Sequence, residues 1–178
     1  MKKQWPYFLL AFVIPVATIL WWWGMFASAS VEVAERGPYR YAYLNAQGYY
    51  SKLAAKQQEV RAELAHQGIT AGGQVTLLLK DPRTTPHDQL LARTGYLIGP
   101  QARPHAPLAE ATIPVRQVAV ARIKAHPLFA YGKTYSALLD FARQRHTTLH
   151  LPTLEIYDAS VLSVEMPLHE PTSSSAQP

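Results

Sequence analysis

From residue 4 to residue 31 the chain carries no charged side chain. Beyond that point apolar and polar positions alternate in short blocks, and the period of alternation changes along the chain. "VEVAERGPYRYAYLNA" (residues 31–46) reads as an extended entry segment, with Arg40-Tyr41-Ala42-Tyr43-Leu44 as its best strand. In "GYYSKLAAKQQEVRAELAHQGI" Leu53, Val60 and Leu64 recur at helical spacing, Lys and Glu fill the other face, and Gly68 suits the C-terminal stop. "QVTLLLKDP" is a strand closed by Asp81-Pro82, "RTTPHDQL" a loop, and "LARTGYLIG" a strand closed by Gly99-Pro100. A Pro-rich connector spans residues 100–114.

The order then recurs. "VRQVAVARIKAH" is a strand, and "AYGKTYSALLDFARQRH" a helix with Tyr135, Leu138, Leu139 and Ala142 facing inward. "TLEIYD" and "VLSVEMPL" are two strands, and a polar, Pro/Ser-rich tail over residues 169–178 is expected to be disordered. The chain therefore predicts an α+β fold of βαββ, connector, βαββ. Two antiparallel-sheet halves place their helices on one face and leave a ligand cleft on the other. The expected core is Val75, Leu77, Leu79, Val118, Val120, Leu154, Ile156, Leu162 and Val164.

The uncharged start changes the picture. Trp5 to Trp23 would span about 28 Å as a helix, close to a hydrocarbon core. Trp5 and Tyr7 mark one end and Trp21, Trp22 and Trp23 the other, as aromatic belts do. Residues 1–30 are thus expected to form an N-terminal membrane anchor, in contact with lipid over residues 5–26, ahead of a domain over residues 31–168. Lys2 and Lys3 predict a single-pass protein of the inner (cell) membrane with its domain in the periplasm or outside. The alternative is a signal peptide cleaved near Ala29, after Ala27-Ser28-Ala29.

Charge adds little. Of the 17 basic residues all but Lys2 and Lys3 lie beyond residue 30, scattered among 12 acidic ones, so no nucleic-acid surface is indicated. The chain has no cysteine, which excludes disulfides and thiolate chemistry. His146 and His150 lack a third ligand nearby in sequence, so no metal site and no cofactor is expected. No G-x-S-x-G occurs, and Gly72-Gly73 is a turn before a strand, not a phosphate loop.

The candidate chemistry sits near the end. In Leu154-Glu155-Ile156-Tyr157 a period of two puts a carboxylate and a phenol on one strand face, away from the apolar pair. Burial would raise the Glu155 pKa, and a bound cation would oppose that rise. Tyr43, Tyr49, Tyr96, Phe129 and Tyr131 are candidates to supply stacking and cation–π contacts.

"LPTLEIYD" followed by "VEMPL", with Asp81-Pro82 after the second strand and Ile113-Pro114 before the third, resembles the GyrI-like small-molecule-binding superfamily. That superfamily includes effector domains of multidrug-sensing regulators and a membrane-anchored ER-phagy receptor. The resemblance covers residues 38–168 and implies a duplicated βαββ fold with a ligand cleft between its halves. It also implies that Glu155 meets cationic, aromatic ligands. Some relatives hydrolyse electrophilic compounds with Glu and Tyr in the pocket.

Three functions follow as expectations. One is a membrane-anchored binding module for a small amphipathic or cationic molecule. Another is a hydrolase with Glu155 as general base on a water and Tyr157 or another pocket tyrosine positioning the substrate. The third is an adaptor with a vestigial cleft that contacts an envelope protein.

Overall fold

The computed structural model describes residues 5–49, 52–81 and 84–169, apart from the side chain of Pro6. Lys2 and Lys3, Pro82 and the tail from residue 170 lie outside the described residues. A helix α1 (Trp5–Trp22) precedes strands β1 (Ser30–Arg36) and β2 (Tyr39–Gln47), then helix α2 (Leu53–His66). Strands β3 (Gln74–Leu78), β4 (Leu91–Leu97), β5 (Ala109–Ile113) and β6 (Arg116–Lys124) follow. Helix α3 (Pro127–Gln144) and strands β7 (Thr153–Asp158) and β8 (Val161–Pro167) complete the fold.

All eight strands form one antiparallel sheet in the order β1-β6-β8-β7-β3-β4-β2-β5. The units β2-α2-β3-β4 and β6-α3-β7-β8 are the two βαββ repeats. They meet where β3 pairs with β7, with Thr76 opposite Glu155 and Leu77 opposite Leu154. The repeat extends further than the pattern predicts. Residues 100–114 contain β5, which flanks β2, and the entry segment contains β1, which flanks β6 in the equivalent place. Both are edge strands with mostly exposed or half-exposed side chains, so neither carries an apolar alternation strong enough to announce a strand.

The helices end where their chemistry says they should. α2 closes with Gly68 at φ +69, and the Ile69 amide bonds the Leu64 carbonyl while the Gly68 amide reaches Ala65, which satisfies orphan carbonyls of the last turn. α3 opens with Pro127 in its first turn, and His126 Nδ1 accepts from the Leu128 amide. α2 lies on β2 and β4, α3 on β6, β8 and β1, so both cover one face of the sheet.

The expected core divides between the two faces. Leu162 and Val164 pack with Leu138, Ala142 and Met166 under α3. Val60 and Leu64 of α2 pack with Ala42, Tyr96 and Ile98. Val75, Leu77 and Leu154, with Tyr41, Tyr43 and Ile113, form a third cluster on the opposite, helix-free face. Leu79 and Ile156 flank that third cluster.

Among the described residues no helix is long and apolar enough to cross a membrane, so the expected span is not supported. α1 has 18 residues, with Pro15 inside it and no acidic or basic residue in its terminal turns. Most of its large apolar side chains are exposed, Trp22 at 82%. Its C-terminal end is tied to the domain. The Trp23 ring stacks on His126 at 4.6 Å, the His126 amide bonds the Trp23 carbonyl, and Lys133 Nζ donates to the carbonyls of Met25 and Ala27.

Candidate ligand-binding site

Glu155 is the centre of the site. It stands on β7 at the seam of the two repeats, pointing to the face that α2 and α3 cover. That corrects the expected geometry: the cleft beside Glu155 lies on the helical face, between the helices, not on the face opposite them. The physical reason is the seam itself. Joining β3 to β7 leaves the two helices over different halves of one sheet, and the strands between them stay open above.

The cavity there has a volume of about 290 Å³ and is walled by Leu53, Ala54 and Gln57 of α2, Tyr131 of α3, and Gln74, Thr76, Leu78 and Glu155 of the sheet. Glu155 is 8% exposed. Its Oε1 accepts a hydrogen bond of 2.6 Å from the Tyr135 hydroxyl, which also lies 3.4 Å from Thr153 Oγ1. Burial raises the Glu155 pKa to about 7, against the opposing effect of the Tyr135 bond. No cationic side chain among the described residues forms an ion pair with it. Tyr131 is pushed up to about 12 by burial first and then by the nearby Glu155 and Tyr157, so it stays a neutral phenol. Gln57 Nε2 donates to Thr76 Oγ1 at 3.1 Å. The wall is thus neutral and half apolar around one acidic group.

The other expected site residues scatter. Tyr157 shares the strand face of Glu155 but sits farther along it, half-buried, lining a cavity of about 550 Å³ with Trp22, Trp23, Lys124 and His126. Tyr96 faces the helices yet is sealed under α2 by Val60 and Leu64. Phe129 lies in the first turn of α3, half-buried and outside the Glu155 wall. Tyr49 is 57% exposed and stacks on His87 at 5.3 Å. Tyr43 is on the helix-free face, with the Arg93 guanidinium 4.9 Å from its ring centre. Of the aromatics called, Tyr131 alone joins Glu155 in this cavity. Sequence reasoning missed Tyr135 as a site residue, assigning it to the core. The i, i+4 spacing of Tyr131 and Tyr135, which puts both on one helix face, was the available signal. Gln57 and Thr76 carried none.

No family model and no curated protein matches the sequence. Solved structures do match the fold. The C-terminal domain of EcmrR shares 11% identity at a TM-score of 0.64, over 80% of this chain and 99% of that one. SAV2435 bound to tetraphenylphosphonium shares 10% identity at 0.55, over 78% of this chain and 93% of that one. An integron cassette protein from the mobile metagenome of Vibrio cholerae shares 7% identity at 0.54, over 80% and 99% respectively. All three have the GyrI-like fold, and this chain shares that fold.

Proposed function

We propose that the domain binds a small organic cation, with Glu155 as its counter-charge. The observation that carries this reading is a buried carboxyl, without an ion-pair partner among the described residues, in a neutral, partly aromatic cavity at the seam of the repeats. A carboxylate held in such a place costs desolvation, and a cation with an apolar skeleton offsets that cost while Tyr131 offers it a ring face. SAV2435, a neighbour in fold, is bound to such a cation. Because Glu155 titrates near 7, a cation entering below that pH must displace a proton.

Calorimetric titration tests it with benzyltrimethylammonium and its uncharged carbon isostere. The ammonium should bind the wild type more tightly than the isostere. Glu155→Gln should weaken the ammonium by roughly 1–3 kcal/mol and leave the isostere unchanged. Equal affinities of wild type and Glu155→Gln for the ammonium would end the reading.

A hydrolase is the second reading, and the Glu155 pKa of about 7 favours it, since a general base works best near the ambient pH. Turnover of an electrophilic substrate that collapses in Glu155→Gln, with affinity little changed, would select it over simple binding.

We further propose that α1 attaches the domain to a lipid bilayer. Its exposed Phe8, Phe12, Ile14 and Trp22, without a charged face, support this. Ala27 and Ala29 pack against the α3 core, which favours retention of the segment over cleavage near Ala29. The full chain should stay in the membrane pellet through alkaline carbonate, and a chain lacking residues 1–30 should not. Protease added to spheroplasts should digest the domain if it faces outward. Release of the full chain by carbonate would refute attachment.

A further inference from the structure

The helix-free face of the sheet carries its own arrangement of charge. Arg36, Arg93, Arg116 and Arg122 stand there with Glu32 and Glu165, as the registers of β1, β4, β6 and β8 require. Arg122 pairs with Glu32 at 3.4 Å. Glu165 is fully buried, and its Oε1 takes both Arg36 Nε at 3.2 Å and the Tyr39 hydroxyl at 2.8 Å. Glu32 is thus engaged by Arg122 and Glu165 Oε1 by Arg36 and Tyr39, while Glu165 Oε2 is buried with no hydrogen-bond partner among the described residues and its charge acts on Arg116 from a distance. Arg93 and Arg116 form no ion pair among the described residues.

Both of these arginines line a single cavity of about 570 Å³, with Tyr41, Leu77, Ile113 and Pro152 among its other walls. Arg93 Nε, Arg116 Nε and Arg116 Nη2 are buried and have no hydrogen-bond partner among the described residues. Arg116 Nη1 has only a long 3.5 Å approach to the Pro152 carbonyl. Buried guanidinium N–H groups left without acceptors are costly, and their planar fork matches a carboxylate. The apolar walls match a carbon skeleton.

We infer that this face holds a second binding site, for an organic anion, in which Arg93 and Arg116 take a carboxylate and Leu77, Ile113 and Pro152 take its apolar body. The site is separated from Glu155 by the thickness of the sheet, and its charge preference is the reverse.

The test is equilibrium dialysis of the full chain with 2-naphthoate and, in parallel, with its uncharged amide. Naphthoate should bind one per chain and at least tenfold more tightly than the amide. Arg93→Gln and Arg116→Gln should each lower naphthoate affinity fivefold or more, and Glu155→Gln should leave it within twofold. Arg116 is partly buried, so Ala111→Phe, which fills the cavity without touching a charge, is the control for misfolding; it should lower naphthoate affinity at least tenfold. Equal binding of acid and amide, or unchanged naphthoate affinity in well-folded Ala111→Phe, overturns the inference, as does loss of binding in Glu155→Gln.

Discussion

Leu154 and Glu155 are neighbours in β7, yet they belong to opposite sides of the molecule. On the Glu155 side, two helices stand apart over the seam, and a lone carboxyl meets phenols, an amide and a hydroxyl. On the Leu154 side no helix covers the sheet, and guanidinium groups meet aliphatic and aromatic walls. One sheet thus separates a cavity with an acidic group from one with basic groups, at the distance of a strand's pleat. The difference teaches that in this fold a cavity's charge is set by strand parity. Residues two apart share a sheet face, and residues one apart are divided between faces.

The largest effect should come from the wall the comparison depends on. Leu154 is fully buried in the cluster of Tyr41, Val75 and Leu77. Leu154→Ala should cost about 2–4 kcal/mol in chemical denaturation through the cavity it leaves. A loss below about 0.5 kcal/mol would mean that the helix-free face is not packed as described, and the contrast between faces would fail with it.

Next in size is a pH effect confined to the acidic side. The Glu155 pKa is raised in the folded chain from an ordinary 4.5 to about 7. Below pH 4.5 the group is protonated in folded and unfolded chains alike, and its burial is unopposed. As pH rises from 4.5 to 7 the unfolded chain ionises first, so stability falls, by on the order of 3 kcal/mol in total. Above 7 this loss is complete and constant. Glu155→Gln should flatten that window of the stability profile and leave the rest of the curve parallel to wild type. An unchanged slope in the variant would show that Glu155 is solvated.

A smaller effect tests the hydrogen bond that Tyr135 gives that carboxyl. Tyr135→Phe removes the donor to Glu155 Oε1, the one influence that lowers its pKa. The Glu155 midpoint, read by carboxyl NMR, should rise further. Stability at pH 8 should fall by about 1–2 kcal/mol, because an ionised buried oxygen loses its partner. A midpoint that falls or stays in place would exclude Tyr135 as its support.

The sequence carried the repeat and the parity but not the assignment of faces. Period-two alternation correctly separates Glu155 and Tyr157 from Leu154 and Ile156. The same logic placed Leu154 in one core with Leu162 and Val164, and there it failed. Register pairs Leu154 with Glu165 and Glu155 with Val164, so the apolar residues of β7 and of β8 face opposite ways. Both sheet faces are apolar enough to read as core, and only the helices distinguish them. The scatter of the tyrosines has the same origin. Tyr43 and Tyr96 lie on opposite faces because one belongs to the Tyr41 set of β2 and the other pairs with Ala42. The unpaired arginines were invisible for a different reason. Arg93 and Arg116 look like ordinary polar positions of two strands until the structure shows that neither forms an ion pair among the described residues and that both line one cavity.

Tyr43 gives the finest test of the comparison, because the sequence made it a candidate for the proposed cation site and its position places it on the other face. Its ring lies 4.9 Å under the Arg93 guanidinium and beside Tyr41 at 5.2 Å. A ring face in that place orients the guanidinium and is worth about 0.5–1 kcal/mol. Tyr43→Leu keeps an apolar side chain over the sheet and removes the π-face. Benzyltrimethylammonium should bind the variant as it binds the wild type, within twofold, since the Glu155 cavity lies through the sheet. Naphthoate should bind it two- to fivefold more weakly, since Arg93 loses the surface that aims it. The reverse outcome, a weakened cation with an unchanged anion, would return Tyr43 to the Glu155 site and show that the two faces communicate through β2 and β4.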